Sequence, residues 1–222
     1  MSAQAEPASA LAWYARAKAV YSGGNEVSLL RGGDALFPAL CDAIAGATHE
    51  VWFATYMFSD DPAALKVADA LAAAARRGVR VRVVVDGFGS VHALDTLRAR
   101  LVPAGVALAV FRPMRGWWSW LQPGQLRRLH QKLCAVDGDV GFVGGINVID
   151  DRHDLRHGWT DAPRLDYAVR LRGPVVAPLE QTARAMWHRA AFGRDWRDEV
   201  REIARSGRPL ARARRLLRRL RL

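Results

Sequence analysis

The chain has 222 residues, half of them hydrophobic, with a formal net charge of +11. That is enough to bury one substantial core. Its two cysteines, Cys41 and Cys134, lie far apart and outside any CxxC or Cys/His cluster, which excludes a disulfide framework or a zinc site and suits a reducing compartment. No stretch approaches the roughly 20 apolar residues of a spanning helix, and the N-terminus lacks a charged region followed by a long apolar run, so any membrane contact is expected to be peripheral.

Ala8 to Tyr21 reads as a short amphipathic helix, broken by Ser22-Gly23-Gly24-Asn25 before a strand at Glu26 to Leu30. Asp34 can cap a helix running to Ala47. Val51 to Tyr56 is a β-branched and aromatic strand, and Asp60-Asp61-Pro62 opens an Ala-rich helix that Gly78 ends after Arg77. Val79 to Asp86 is the clearest strand. A helix from about Val91 to Leu101 and a strand at Val106 to Phe111 follow. Strands alternating with helices predict an α/β sandwich with a mixed, mostly parallel sheet flanked by helices.

Arg112 to Arg128 has no regular period and reads as a long loop carrying Trp117, Trp118 and Trp120. Leu129 to Asp137 and Val140 to Gly144 then read as two strands joined at Asp137-Gly138, a pair suited to a type I′ turn. Arg152 to Pro163 is polar and loop-like. Arg164 to Arg172 is a further strand, and Gly173-Pro174 turns the chain into a helix over about Val175 to Arg189.

The predicted hairpin carries the chemistry. His130 and Lys132 are two residues apart, a spacing that points both side chains the same way from a strand. A neutral imidazole at His130 can attack phosphorus and split a displacement into two steps. Lys132 can offset charge on the non-bridging oxygens. Asn147 can donate its amide to the same oxygens, and Gly144 and Gly145 permit close backbone approach or simply close a turn. Asp137 has two readings: a site carboxylate, or a residue chosen for turn chemistry before Gly138. Asp166 lies within an otherwise strand-like run, where a carboxylate needs a partner, and is the better candidate to orient His130. The donor set calls for no cofactor and no metal. His153 and His157 beside Asp150, Asp151, Asp154 and Asp161 look metal-like, but their loop context favours polar packing or exposure.

The spacing His130-x-Lys132-x4-Asp137, followed by Gly144-Gly145-Ile146-Asn147, resembles the signature of the phospholipase D superfamily, whose complete sites carry it twice. None of the other histidines (His49, His92, His153, His157, His188) has a lysine two residues on, so this chain carries it once. Val85 to Ser90, His130 to Asn147 and Asp166 to Val176 also look like the N-terminal half of bacterial cardiolipin synthases, especially the B type. The resemblance extends over roughly residues 24 to 190. It implies a phospholipase D sandwich, one half of the usual two-motif enzyme, and transfer of a phosphatidyl group to an alcohol through a phospho-histidine without a metal.

The expected organisation is therefore a helical extension at 1–23, the catalytic domain at 24–192 and an Arg-rich tail at 193–222. A second histidine is needed to protonate the leaving alkoxide, so a homodimer or a separately encoded second half is expected. The partners implied are a phosphatidylglycerol-like phospholipid and the membrane surface at the inner face of the cytoplasmic membrane, ahead of nucleic acid. Ala211 to Leu222 supplies six arginines, and Leu210, Ala213, Leu217 and Leu220 fall at helical spacing, as in a basic interfacial helix or one packed on the domain. Trp117, Trp118 and Trp120 beside Arg115, Arg127 and Arg128 could anchor at headgroup level or cluster under their own loop. Two rivals use the same motif: a dimeric phosphodiesterase or nuclease, and an inactive lipid-binding half domain.

Overall fold

The structure, a computed structural model, describes residues 21–114, 128–154 and 158–192. The expected N-terminal helix, the tryptophan-rich segment and the Arg-rich tail fall outside the described residues, as does His157.

Seven strands form the main sheet: β1 (Glu26–Arg31), β2 (Glu50–Thr55), β3 (Arg80–Asp86), β4 (Ala107–Phe111), β5 (Leu133–Val136), β6 (Val140–Gly144) and β9 (Tyr167–Arg172). Their spatial order is β1-β9-β6-β5-β2-β3-β4. Two residues each from His153–Asp154 (β7) and Gly158–Trp159 (β8) make a small separate hairpin inside the segment expected to be loop. Among the described residues four α-helices follow in chain order, α1 (Gly32–Ala45), α2 (Pro62–Arg76), α3 (Leu94–Leu101) and α4 (Val176–Phe192), with a short 3-10 helix at Val91–Ala93.

The sheet is mixed, as expected, but not mostly parallel. Only β2-β3 and β3-β4 pair parallel; β1-β9, β9-β6, β6-β5 and β5-β2 are antiparallel. The reason is connectivity. Helical crossovers join β2 to β3 and β3 to β4, as parallel neighbours require, whereas β5 and β6 meet through a tight turn that permits only antiparallel pairing. At that turn Asp137 and Gly138 both have positive φ, +52° and +69°, the left-handed pair that the Asp-Gly dipeptide supplies.

Alternation along the strands separates two cores. Val51, Phe53, Val81, Val83, Val85, Cys134, Val136 and Phe142 face α1, α2 and α3. Trp52, Ala54, Val84, Leu133 and Ala135 face Ala183, Trp187 and Phe192 of α4. The α2 start follows its sequence signals: the Asp61 side chain accepts from Ala64 N at 2.9 Å, with Pro62 in the first turn. Its inner face buries Val67, Ala68 and Leu71 completely. Leu71→Ala is expected to lower the unfolding free energy by about 2–5 kcal/mol, read as a shift of the urea midpoint at constant m-value.

Candidate active site

Strand directions gather the functional side chains at one edge of the sheet. The C-terminal ends of β2, β3 and β4 lie together because these strands are parallel. β5 runs against β2, with Ala54 opposite Leu133, so the entrance to β5 reaches the same edge. The end of β6 at Gly144 and the start of β9 at Tyr167 join them. His130, Lys132, Gly144, Gly145, Asn147 and Asp166 all belong to these strand ends or their flanking turns.

His130 and Lys132 were expected within a strand, but β5 begins only at Leu133. Lys132 still joins the ladder, its carbonyl accepting from Gly144 N at 3.2 Å. His130 is exposed and Lys132 only 9% exposed. The Lys132 Nζ lies 3.3 Å from His130 Nε2 and donates to the His130 carbonyl at 3.1 Å. With Lys132 as an ammonium, which can only donate, the first contact matches the tautomer with the lone pair on Nε2 and the proton on Nδ1. That is the tautomer in which Nε2 is a nucleophile. The Tyr56 ring, at the end of β2, completes the group: its centroid is 5.2 Å from the imidazole and 5.4 Å from Nζ. Burial pulls the Lys132 pKa below its ordinary value, and the Asp166 carboxylate acts against that shift. Phe37, Leu40, Phe53, Phe142 and Ile146 line a small apolar pocket to which Lys132 also contributes.

Asp166 lies just before β9 rather than within it. It was expected to orient His130. Among the described residues its Oδ1 instead accepts from Tyr167 N at 2.7 Å, and its influence on the site is the charge it exerts on Lys132. The chain turns before the strand, and this turn uses the carboxylate locally. Gly145 is packed against it: a Cβ at Gly145 would stand 2.2 Å from Asp166 Oδ1. A Cβ at Gly144 would meet Tyr167 O and the Ala168 Cα at 2.5 Å. Both glycines are thus explained by close packing. Asn147 lies beside the single bridge Phe58–Val148, with its Oδ1 buried and unpartnered among the described residues.

Asp137 is at the opposite edge. All of β5 separates it from Lys132, roughly 17 Å of extended chain, and of its two readings this placement favours the turn over the site carboxylate. Its carboxylate accepts from Thr48 N (2.7 Å), Thr48 Oγ1 (2.9 Å), His49 N (2.8 Å) and Glu50 N (2.7 Å), pinning the turn into β2. Burial alone would raise its pKa, but these bonds together hold it below the ordinary carboxylate value. His153 stacks on Trp159 at 4.9 Å, its Nδ1 3.8 Å from Asp61 Oδ2.

Asp151, named in the sequence beside His153, is buried, and its carboxylate accepts from Gly33 N at the start of α1. Two residues absent from the sequence-based set matter to the site. Tyr56 contacts both principal side chains. Asp86, fully buried at the end of β3, accepts from Leu129 N at 2.9 Å, directly before His130. Its signal was readable: an acid ending an apolar β-branched run, with Gly-Phe-Gly after it.

Residues 40–158 match a family described as the phospholipase D-like domain of cardiolipin synthase. The chain belongs to this phospholipase D-like family. Among curated relatives, cardiolipin synthase B of Salmonella typhimurium is 37% identical over 158 residues, covering 71% of this chain and 37% of that protein. Cardiolipin synthase B of Escherichia coli K12 is 32% identical over 178 residues, covering 75% and 42%. Cardiolipin synthase A of Pseudomonas fluorescens is 37% identical over 168 residues, covering 75% and 34%. The chain thus spans about two fifths of the length of these relatives. Among solved structures, the phospholipase D family member Nuc of Salmonella typhimurium superposes with a TM-score of 0.56 at 19% identity, covering 78% of this chain and 98% of that one. NucT of Helicobacter pylori gives 0.53 at 15% identity, covering 74% and 96%. At these identities the likeness establishes the phospholipase D fold.

Asp137→Ala should cost roughly 1–3 kcal/mol of stability through the backbone donors it strands, without altering the His130–Lys132 pair. A carboxylate whose pKa is depressed on folding contributes stability that is present above its unfolded value, near 4, and lost as pH falls through the lower folded value. Asp137→Asn should therefore flatten the decline in stability over that acid window, measured by urea midpoints against pH.

Proposed function

We propose that this chain is one half-site of a phosphatidyl-transferring enzyme of the cardiolipin synthase type, working through a phospho-histidine at His130. The observation that carries the reading is the His130–Lys132 pair: an exposed imidazole whose Nε2 faces a buried ammonium 3.3 Å away. The resemblance to cardiolipin synthases, at 32–37% identity, supports a phospholipid as the substrate. Residues 24–192 form the reacting unit, with 1–23 and 193–222 as extensions.

The reaction balances with two histidines. The Nε2 lone pair of His130 attacks the phosphorus of a phosphatidylglycerol-like donor; the P–N bond forms as the P–O bond to the leaving alcohol breaks. A protonated histidine from a second half-site gives its proton to the departing alkoxide. That histidine, now neutral, takes the proton of the acceptor alcohol, whose oxygen attacks phosphorus and releases His130. Lys132 moves from Nε2 to the non-bridging oxygens as phosphate arrives, and Asn147 donates to the same oxygens. Asp166 balances the charge on Lys132. The other histidine belongs to a second half-site, since His130-x-Lys132 is the single His-x-Lys pair among these 222 residues.

No described helix is long and apolar enough to cross a membrane. We place the protein peripherally at the inner face of the cytoplasmic membrane, with the leucine and arginine side chains of residues 210–222 contacting anionic lipid.

His130→Ala should abolish transfer between phosphatidylglycerol vesicles and an alcohol acceptor, and peptide mapping of a quenched wild-type reaction should place the phosphorus adduct on His130. A reproducible adduct on another residue would reject the assignment. Saturating EDTA should leave turnover intact; complete loss that added metal restores would count against this chemistry. Cleavage of duplex DNA with no transfer on vesicles would select the nuclease reading.

A further inference from the structure

Asp86 makes more hydrogen bonds than its turn requires. Its Oδ1 accepts from Phe88 N at 2.8 Å and Gly89 N at 3.1 Å, which closes the turn leaving β3. That alone would account for an aspartate before Gly87-Phe88-Gly89. The second oxygen does something else. It accepts from Leu129 N, 43 residues further along the chain and adjacent to His130. Arg128 reinforces the attachment: its guanidinium lies 3.8 Å from Asp86 Oδ1, donates to Arg112 O at 3.1 Å and covers the Phe88 ring at 5.4 Å.

The same turn also holds the ring beside His130. Ser90 Oγ donates to Tyr56 O at 3.2 Å and accepts from Phe58 N at 2.9 Å, while Ser90 N donates to Asp86 O at 3.1 Å. Residues 86–90 therefore fix both the backbone entering His130 and the backbone of Tyr56, whose ring packs on its imidazole. His130 needs such fixing. It stands outside β5, it is exposed, and among the described residues no carboxylate is hydrogen-bonded to its ring.

We propose that Asp86 is a positioning residue for His130, setting the nucleophile's place through the Leu129 amide and not by touching substrate. The inference rests on reading His130 as the nucleophile. Physically, in-line attack tolerates little displacement, and an imidazole on an unladdered segment takes its position from its nearest backbone anchor. A carboxylate is required because both oxygens must accept. An amide offers one acceptor, so Asp86→Asn keeps the volume and loses either the turn or the Leu129 anchor.

The test is histidine NMR on the full chain labelled with 13C and 15N histidine, His130 being identified by the resonances lost in His130→Ala. In Asp86→Asn the His130 ring signals should move or broaden, while those of His49 at the opposite edge stay in place. Asp137→Asn, which loosens a comparable carboxylate anchor at that opposite edge, should leave His130 unchanged. On phosphatidylglycerol vesicles, kcat of Asp86→Asn should fall about 10- to 100-fold with KM within about twofold. If Asp86→Asn does not fold, Arg128→Ala loosens the same attachment while leaving all three amide donors of Asp86 in place, and should displace the His130 signals in the same direction. Coincidence of the His130 signals with wild type, in whichever of the two variants is folded, would overturn the proposal. So would an equal loss of kcat in Asp137→Asn at matched loss of Tm. A wild-type chain without turnover, in which Asp86→Asn still displaces His130, would sink the proposed reaction and leave the positioning role standing.

Discussion

Because β5 pairs antiparallel with β2 while β3 and β4 continue parallel to it, the entrance of β5 is brought to the edge where β2, β3 and β4 all end. The other site features depend on that reversal. It sets Lys132 next to Tyr56 at the end of β2, and it puts Leu129 within reach of the Asp86 carboxylate at the end of β3. Had β5 run parallel to β2, its entrance would lie at the edge occupied by Glu50 and Arg80, where the carboxylate chemistry is structural.

Charge at this edge is arranged around a buried cation. Taking an ammonium out of water is costly unless a partner compensates it, and Lys132 has a carboxylate acting on it from Asp166 and the face of Tyr56 nearby. The compensation is incomplete: burial still pulls the Lys132 pKa below its ordinary value. An anionic phosphate group arriving beside Nζ would complete it. Asp86 solves the converse problem, a fully buried carboxylate satisfied by three backbone amides and a guanidinium.

Most of the elements were legible because their signals are local. Asp61-Pro62, the β-branched run at Val81 to Val85 and the Asp137-Gly138 turn each specify their own conformation from within a few residues. The strand directions were less so: alternating strands and helices suggest parallel pairing, and only the short connection between β5 and β6 argues otherwise. At the site, the His130 and Lys132 proximity was readable from spacing. The behaviour of Asp166 was not, since whether a carboxylate reaches an imidazole or turns back to the next amide depends on where β9 begins. Asp86 and Tyr56 were missed as contacts for the same reason. They reach the site from other strands, at separations that no periodicity reports.

The position of Asp137 gives the four-residue gap in His130-x-Lys132-x4-Asp137 a meaning apart from reactivity. Those four residues, Leu133 to Val136, are β5 itself. The gap is a ruler for the width of the sheet: Lys132 marks one margin, and Asp137, gripping the turn before β2, marks the other. Adding or deleting one residue between them would do more than change a length. With a period of two, it would turn Leu133 and Ala135 away from α4, exchange them with Cys134 and Val136, and carry the Lys132 side chain to the wrong face. A spacing rule of this kind identifies a frame that holds its ends a fixed distance apart, and it would be kept by any chain that uses the frame, whatever molecule it acts on.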